Sequence, residues 1–412
     1  MTTPILYRGI SQLATPHPTE GADTSPLTLT HGAALLVSDG KVVTSGSERD
    51  VSAHPKASGA EVVDLGGRAV IPGLVDSHTH VVFAGQRMDE MAMRARGDTY
   101  ESIAQQGGGI VNSVDALQGC PPEELVAQSQ KRIEHMRRLG VTTLEIKSGY
   151  GLSPELEAKQ LDAIQAVANS QPITIVGTVL AHVIPRDMRD QREAYIQRFR
   201  DTVLPDAVTR PVVRYCDVFV ESGAFTPKEA TQIAETAAGL GLKLKLHVDQ
   251  LHDGDGAALA ATLGALSADH LEKTNPEGAR ALAEADVIAT VLPGCGLFLG
   301  GDAWPDARAL RDAGCAVAIA TDCNPGSSMV QDLPLCGTLG ATQCGLSLEE
   351  ALWGITRGGA LALGMTDRGT LGDGERADFV VLDSPDWKSL FYSPAATPIF
   401  AIGLGGALQP NA

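Results

Sequence analysis

The chain has 412 residues, 43% of them hydrophobic, with 50 acidic against 32 basic side chains and a formal net charge of −18. A field of that sign repels phosphate, which argues against non-specific nucleic-acid binding and against anionic membrane surfaces. An anionic small-molecule substrate would need a dedicated local cation. No stretch approaches the length of a membrane span, and Met1 to Leu13 lacks the sustained apolar segment of a secretory signal. The cysteines, Cys120, Cys216, Cys295, Cys315, Cys323, Cys336 and Cys344, are odd in number, widely spread and free of any Cys-x-x-Cys. That pattern suggests neither a disulfide framework nor a zinc knuckle. It reads as small buried apolar residues in a reducing cytoplasm, with Cys323 a candidate reactive exception beside an expected site residue.

In chain order, the first 65 residues read as small β structure. Ala34–Ser38, Asp39-Gly40 and Lys41–Ser45 form a two-residue hairpin signal. Val70, Ile71, Leu74 and Val75 then make an apolar run that reads as one buried strand ending in His78 and His80. Residues i and i+2 of a strand share a side, so two imidazoles can be presented to one point. Taken alone, His-x-His also fits two partly exposed turn histidines. Further β-rich apolar runs follow at 141–147, 173–182, 217–221, 242–247, 266–271, 287–292 and 316–321, which makes eight with the first.

Helix signals lie between most of these runs: Ser153-Pro154 and Thr226-Pro227 as N-caps with proline in the first turn, and the periodic stretches 123–139, 276–284 and 306–313. The turn and strand of Gly372–Asp383 match the N-terminal character. The expected architecture is an α/β (β/α)8 TIM-like barrel over 68–366, with a small β-sandwich domain built from both termini, 1–67 and 367–412. A doubly wound open sheet is the alternative, but no Gly-x-Gly-x-x-Gly lies between a strand and a helix. Gly107-Gly-Gly109 sits in a long loop after the first strand, where a mobile cover over a site is the expected role.

Active sites of such barrels form at the C-terminal strand ends. His78 and His80 end the first strand, His182 the third, His247 the fifth, His270 the sixth and Asp322 the eighth. One buried histidine is usually a satisfied core residue; five at strand ends point to a site instead.

Pro72-Gly-Leu-Val-Asp-Ser-His-Thr-His80, together with His247, His270 and Asp322, resembles the amidohydrolase superfamily, metal-dependent hydrolases built on a barrel flanked by a split β-sandwich. The resemblance covers nearly the whole chain and implies one metal held by His78, His80, His247 and Asp322. Binuclear members carry a carboxylated lysine at the end of strand four, which here reads Asp217-Val-Phe-Val-Glu221; Lys147 follows strand two and does not substitute. Three imidazoles, one carboxylate and an open position suit zinc or ferrous iron.

The segments Phe83–Arg87, Ile103–Ile110, Glu145–Leu152, Ser267–Leu271 and Ala320–Ser328 are similar to members that open a cyclic amide on a small carboxylated ring. This implies substrate contacts for Arg87, Tyr150, His182, Gln250, Asn324, Gly326 and Ser327. It also implies that His270 deprotonates water and that Asp322 or His270 protonates the leaving nitrogen. Arg87 can clamp a carboxylate with two hydrogen bonds; the plain readings are a surface arginine and, for Tyr150, a packed tyrosine. Gln250 stands where some relatives have glutamate, and an amide can orient a ring but not accept its proton. Leu180-Ala-His-Val-Ile-Pro-Arg186 departs from the usual Gly-Ala-His-Ala-x-Pro around His182. Deaminases of purines or pyrimidines share the metal set, and a barrel that has lost catalysis is the reading from another class. A homodimer is implied by resemblance alone.

Overall fold

The structure is a computed structural model that describes residues 3–18, 26–98, 102–103, 108–300, 304–394, 396 and 398–411. Its strands, in chain order, are β1 (Ile5–Pro16), β2 (Leu27–Ser38), β3 (Lys41–Ser47), β4 (Glu61–Pro72), β5 (Leu74–Asp76), β6 (Val141–Lys147), β7 (Thr174–Ala181), β8 (Val213–Val220), β9 (Lys243–Val248), β10 (Ser267–His270), β11 (Ile288–Val291), β12 (Val317–Ile319), β13 (Phe379–Leu382), β14 (Ile399–Leu404) and β15 (Ala407–Pro410).

The two termini build one mixed sheet of seven strands, in the order β15-β14-β13-β4-β1-β2-β3. The β2–β3 turn has positive φ at both Asp39 (52°) and Gly40 (77°), the geometry of an Asp-Gly hairpin. The sheet folds over on itself. Ala377 N donates to Gly40 O at 3.0 Å and Val42 N to Glu375 O at 2.9 Å, and the Tyr7 and Phe379 rings meet at 5.0 Å in the apolar layer between.

The middle of the chain is an eight-stranded parallel sheet running from β5 to β12 in sequence order. The apolar run at 70–75 is therefore two strands, not one. Val70–Pro72 pairs with β13 in the terminal sheet, and after Gly73 the chain enters the barrel to pair with β6. Hydropathy cannot register that change of partner, because both halves are equally buried. The fourth barrel strand also starts at Val213, earlier than Asp217. The proline-led helices lie where their caps predict: Pro154–Ser170 behind Ser153, and Pro227–Gly239 behind a capping box of Thr226 and Glu229.

The seam between β12 and β5 closes just above the strands. Asp322 N donates to His78 O and His80 N to Cys323 O, each at 3.0 Å. The backbone that completes the cylinder is thus the backbone of the expected ligands, which fixes their side chains relative to one another. The barrel core and its helices form a continuous apolar cluster. All seven cysteines are buried and unpaired, and burial pushes the Cys323 thiol well up, an environment that favours the inert thiol over the reactive thiolate. Among the described residues, no helix is long and apolar enough to cross a membrane. Of the glycine loop, Gly107 lies outside the described residues.

Candidate metal centre and substrate cavity

At the C-terminal mouth, four side chains converge. His78 Nε2 and His80 Nε2 lie 3.4 and 3.3 Å from Asp322 Oδ1, and His80 Nε2 lies 3.4 Å from His247 Nε2. All are buried. Each of the other two imidazole nitrogens that would steer a ligand faces a carboxylate below: His78 Nδ1 at 2.7 Å from Asp269 Oδ2 and His247 Nδ1 at 3.0 Å from Asp217 Oδ2. A carboxylate can only accept, so it keeps the proton on Nδ1 and turns the lone pair of Nε2 upward.

Buried His78 Nε2 has no hydrogen-bond partner in the protein. Burial lowers the pKa of His80, and that of His247 falls well below the ordinary value, despite the opposing carboxylates. The Asp322 carboxyl is held well below the ordinary carboxylate range against the opposing effect of burial. Neutral nitrogens and one carboxylate oxygen closing on a point, with His78 Nε2, His80 Nδ1 and His247 Nδ1 lacking a well-aligned hydrogen-bond partner, form a donor set that fits a divalent cation.

His270 stands beside this set, with its ring 5.7 Å from His78 and 5.3 Å from His247. Its backbone has φ of 89°, outside the comfortable range of a non-glycine residue. Its Nδ1 is 3.3 Å from Glu272 Oε1. Burial lowers its pKa, but Glu272, with Asp322 and Asp269 behind it, outweighs burial and the net direction is up.

A cavity of about 70 Å³ opens over the cluster, and its walls include Arg87, Tyr150, His182, Gln250, Asn324, Gly326 and Ser327 together with His80, His247, His270 and Asp322. Residues far apart in sequence are thereby brought to one space. Tyr150 is placed by the loop after β6: Glu157 accepts from the amides of Gly149, Gly151 and Leu152 at 2.9–3.1 Å, and Tyr150 N donates to Gln160 Oε1 at 3.0 Å. Gly151 is required there, since a Cβ would run into the backbone of Leu156 and Glu157.

His182 is stacked on His80, with ring centroids 5.8 Å apart. Burial takes its pKa down to about 3. Its Nδ1 lies 3.2 Å from Gly149 O, and a carbonyl accepts, so this neutral ring presents an unprotonated Nε2. The Asn324 amide is occupied by its own turn. It accepts from Gly326 N and Ser327 N at 2.7 Å and donates to Asp322 Oδ2 at 2.9 Å, so it shapes the turn that carries Gly326 and Ser327.

Arg87 is not the free surface cation that sequence alone allows. Its side chain is 5% exposed and paired with Glu90, Nε to Oε1 at 2.9 Å and Nη2 to Oε2 at 2.6 Å. Gly326 lies so near that a Cβ there would overlap the guanidinium. Sequence reasoning also missed Glu90, Glu272, Asp217, Asp269, and Cys295, whose Sγ donates to Asp322 Oδ2 at 2.8 Å. Of these, only the inward alternation of β8 and β10 gives a signal, because Asp217 and Asp269 sit on the barrel-facing side.

Residues 69–406 match the Amidohydrolase family, and the chain belongs to it. The fold agrees: the structure is similar to that of a zinc-complexed atrazine chlorohydrolase from Arthrobacter aurescens TC1, with a TM-score of 0.73 at 19% identity, covering 98% of this chain and 94% of that one. Among curated proteins, the chain is 42% identical to an imidazolonepropionase of Rubrobacter xylanophilus over 95% of its own length and 94% of that protein's. It is 43% identical to one from Deinococcus deserti, over 96% of each. Within the amidohydrolases the chain thus falls with the imidazolonepropionases, hydrolases of a cyclic amide.

Proposed function

We propose that the chain opens 4-imidazolone-5-propanoate to N-formimino-L-glutamate, in histidine degradation, with one divalent metal held by His78, His80, His247 and Asp322. The observation that carries this is the cavity in which His80, His247 and Asp322 of that donor set meet a guanidinium and two further imidazoles, with His78 buried against His80 and Asp322. Zinc and ferrous iron both suit the donors. When bound, either would supply a nucleophilic water near neutral pH and polarise the ring carbonyl.

The chain's own residues do the rest. Arg87 pairs with the propanoate carboxylate and shares its charge with Glu90, which fixes the plane of the guanidinium. Tyr150 and the Gln250 amide hold the ring, and the unprotonated Nε2 of His182 accepts a hydrogen bond from a ring N–H. His270, steadied by Glu272 on Nδ1, takes the proton of the attacking water. As the carbonyl carbon becomes a carboxylate, its bond to the ring nitrogen breaks, and the proton returns to that nitrogen from His270 or Asp322. Gly326 packs against the Arg87 guanidinium, and Ser327 lines the same cavity beside it. The chain's abundant acid makes Arg87 the discriminating element for an anionic substrate. A homodimer in the cytoplasm completes the proposal; the buried unpaired thiols support the reducing compartment, and the dimer rests on the resemblance alone.

The test is turnover of imidazolone propanoate, followed by loss of its ultraviolet absorbance, before and after a chelator. Turnover abolished by the chelator and restored by zinc or ferrous iron is the expected result. Full activity in metal-stripped protein, or activity only on aminated bases, would remove this reading.

A further inference from the structure

Beneath the metal-binding imidazoles the barrel is filled with charge where hydrocarbon would be expected. Glu145, Lys147, Asp217, Lys245 and Asp269 are all fully buried. Lys147, Asp217 and Asp269 come from β6, β8 and β10, alternate strands of the cylinder, whose inward side chains meet in one layer. Lys147 Nζ donates to Glu145 Oε1 at 2.9 Å and to Asp217 Oδ2 at 2.8 Å, and it lies 3.7 Å from Asp269 Oδ2. Those two aspartate oxygens are the ones that face His247 Nδ1 and His78 Nδ1. Lys245 Nζ, 3.5 Å from Asp269 Oδ2, donates to Ser267 Oγ, which in turn donates to Asp269 Oδ1 at 2.6 Å.

We propose that Lys147 is a positioning residue for the metal: one buried ammonium, hydrogen-bonded to Asp217 under His247 and within ion-pair distance of Asp269 under His78, holds both carboxylates in place and through them the orientation of both imidazoles. This rests on the reading of His78 and His247 as metal ligands. Two ammoniums against three carboxylates leave one net negative charge under a site that must hold a dication. Without Lys147, Glu145, Asp217 and Asp269 would face one another with only Lys245 among them. At least one would protonate or turn away, and the imidazole above it would lose its fixed acceptor. The geometry also explains why this lysine cannot serve as a ligand: its nitrogen is engaged by carboxylates one layer below.

The experiment uses full-length protein stripped of metal and loaded with cobalt(II). Affinity is read by competition with a chelator, and ligand geometry by the visible spectrum. Lys147→Met should bind cobalt roughly 10–100-fold more weakly, the range for loss of groups that orient ligands, with an altered spectrum and cooperative unfolding of the metal-free protein. Should Lys147→Met not fold, Lys147→Met/Glu145→Gln removes one charge of each sign, and the same loss is expected of it. Whichever variant folds, affinity within about twofold of wild type with an unchanged spectrum overturns the inference. His247→Ala is measured alongside. If wild type takes up no cobalt, or His247→Ala binds as tightly as wild type, the ligand reading falls and the role of Lys147 with it; if only the Lys147 variants match wild type, Lys147 alone is refuted.

Discussion

On the helix Pro122–Arg138, Glu134 accepts from Arg137 Nε and Nη2 at 2.8 Å and from Arg138 Nε at 3.1 Å. In the barrel, Asp217 and Asp269 sit between buried lysines and buried imidazoles at similar distances. The pairings look alike on paper, yet their surroundings differ. Around Glu134, water can replace either arginine at little cost. Around Asp217 and Asp269, nothing else can reach the charges, so removing one partner strands another. Burial, not the number of ion pairs, therefore decides which cluster governs the site.

The sharpest way to break this comparison is to delete an interior carboxylate. Asp269→Ala strands Lys245 and weakens the hold on His78, so it should destabilise the protein by about 3–5 kcal/mol in denaturant melts and lower metal content. A loss below about 1 kcal/mol would mean that the interior pairs behave like surface ones. Next comes the mouth. His270→Asn is preferred to alanine because asparagine tolerates the positive φ at this position. Metal content should stay at the wild-type level while kcat falls by about 10²–10⁴, the contribution of a positioned general base. Loss of metal instead would make His270 a ligand, which its closeness to His78 and His247 allows.

Much of this was legible in the sequence, and the remainder has a physical reason for being hidden. Strand ends announce themselves because apolar runs stop at polar residues, so His78, His80, His182, His247, His270 and Asp322 could all be placed at one rim. The proline-led caps at Ser153 and Thr226 fix their helices by local chemistry alone. Partners were not legible where they depend on which strands lie opposite. Lys147 and Asp217 are 70 residues apart and meet only because the sheet closes. The split of the 70–75 run has the same origin, since two sheets claim consecutive residues with equal burial. Glu90 was the nearest miss. At i+3 from Arg87 on a helix its pairing follows from spacing, but nothing local tells a surface pair from one that closes a cavity.

Arg87 tests that distinction at intermediate depth. Arg87→Ala should raise KM for imidazolone propanoate by roughly 10–100-fold, the loss of a charge-assisted contact of about 1.5–3 kcal/mol. The effect on kcat should be smaller, because the guanidinium meets the carboxylate in ground and transition states alike. An unchanged KM would leave Arg87 as a partner of Glu90 only.

The smallest effect belongs to the surface cluster. The arginines bring the pKa of Glu134 from the ordinary 4.5 down to about 2, with Arg137 the largest cause. A folded-state value below the unfolded one means that the unfolded chain binds the proton more readily. The stabilisation is then complete above about pH 4.5 and fades as pH falls towards 2. Because the glutamate is partly exposed and screened by solvent, the amount is under about 1 kcal/mol. Glu134→Gln should accordingly lower stability slightly at neutral pH, converge with wild type in acid, and leave metal affinity and turnover untouched. A larger loss at pH 7, or any change in metal content, would show that this helix end communicates with the mouth through Arg132, whose Nη1 donates to Val81 O and Phe83 O in the chain just after His80, and the division between surface and interior charge would have to be redrawn.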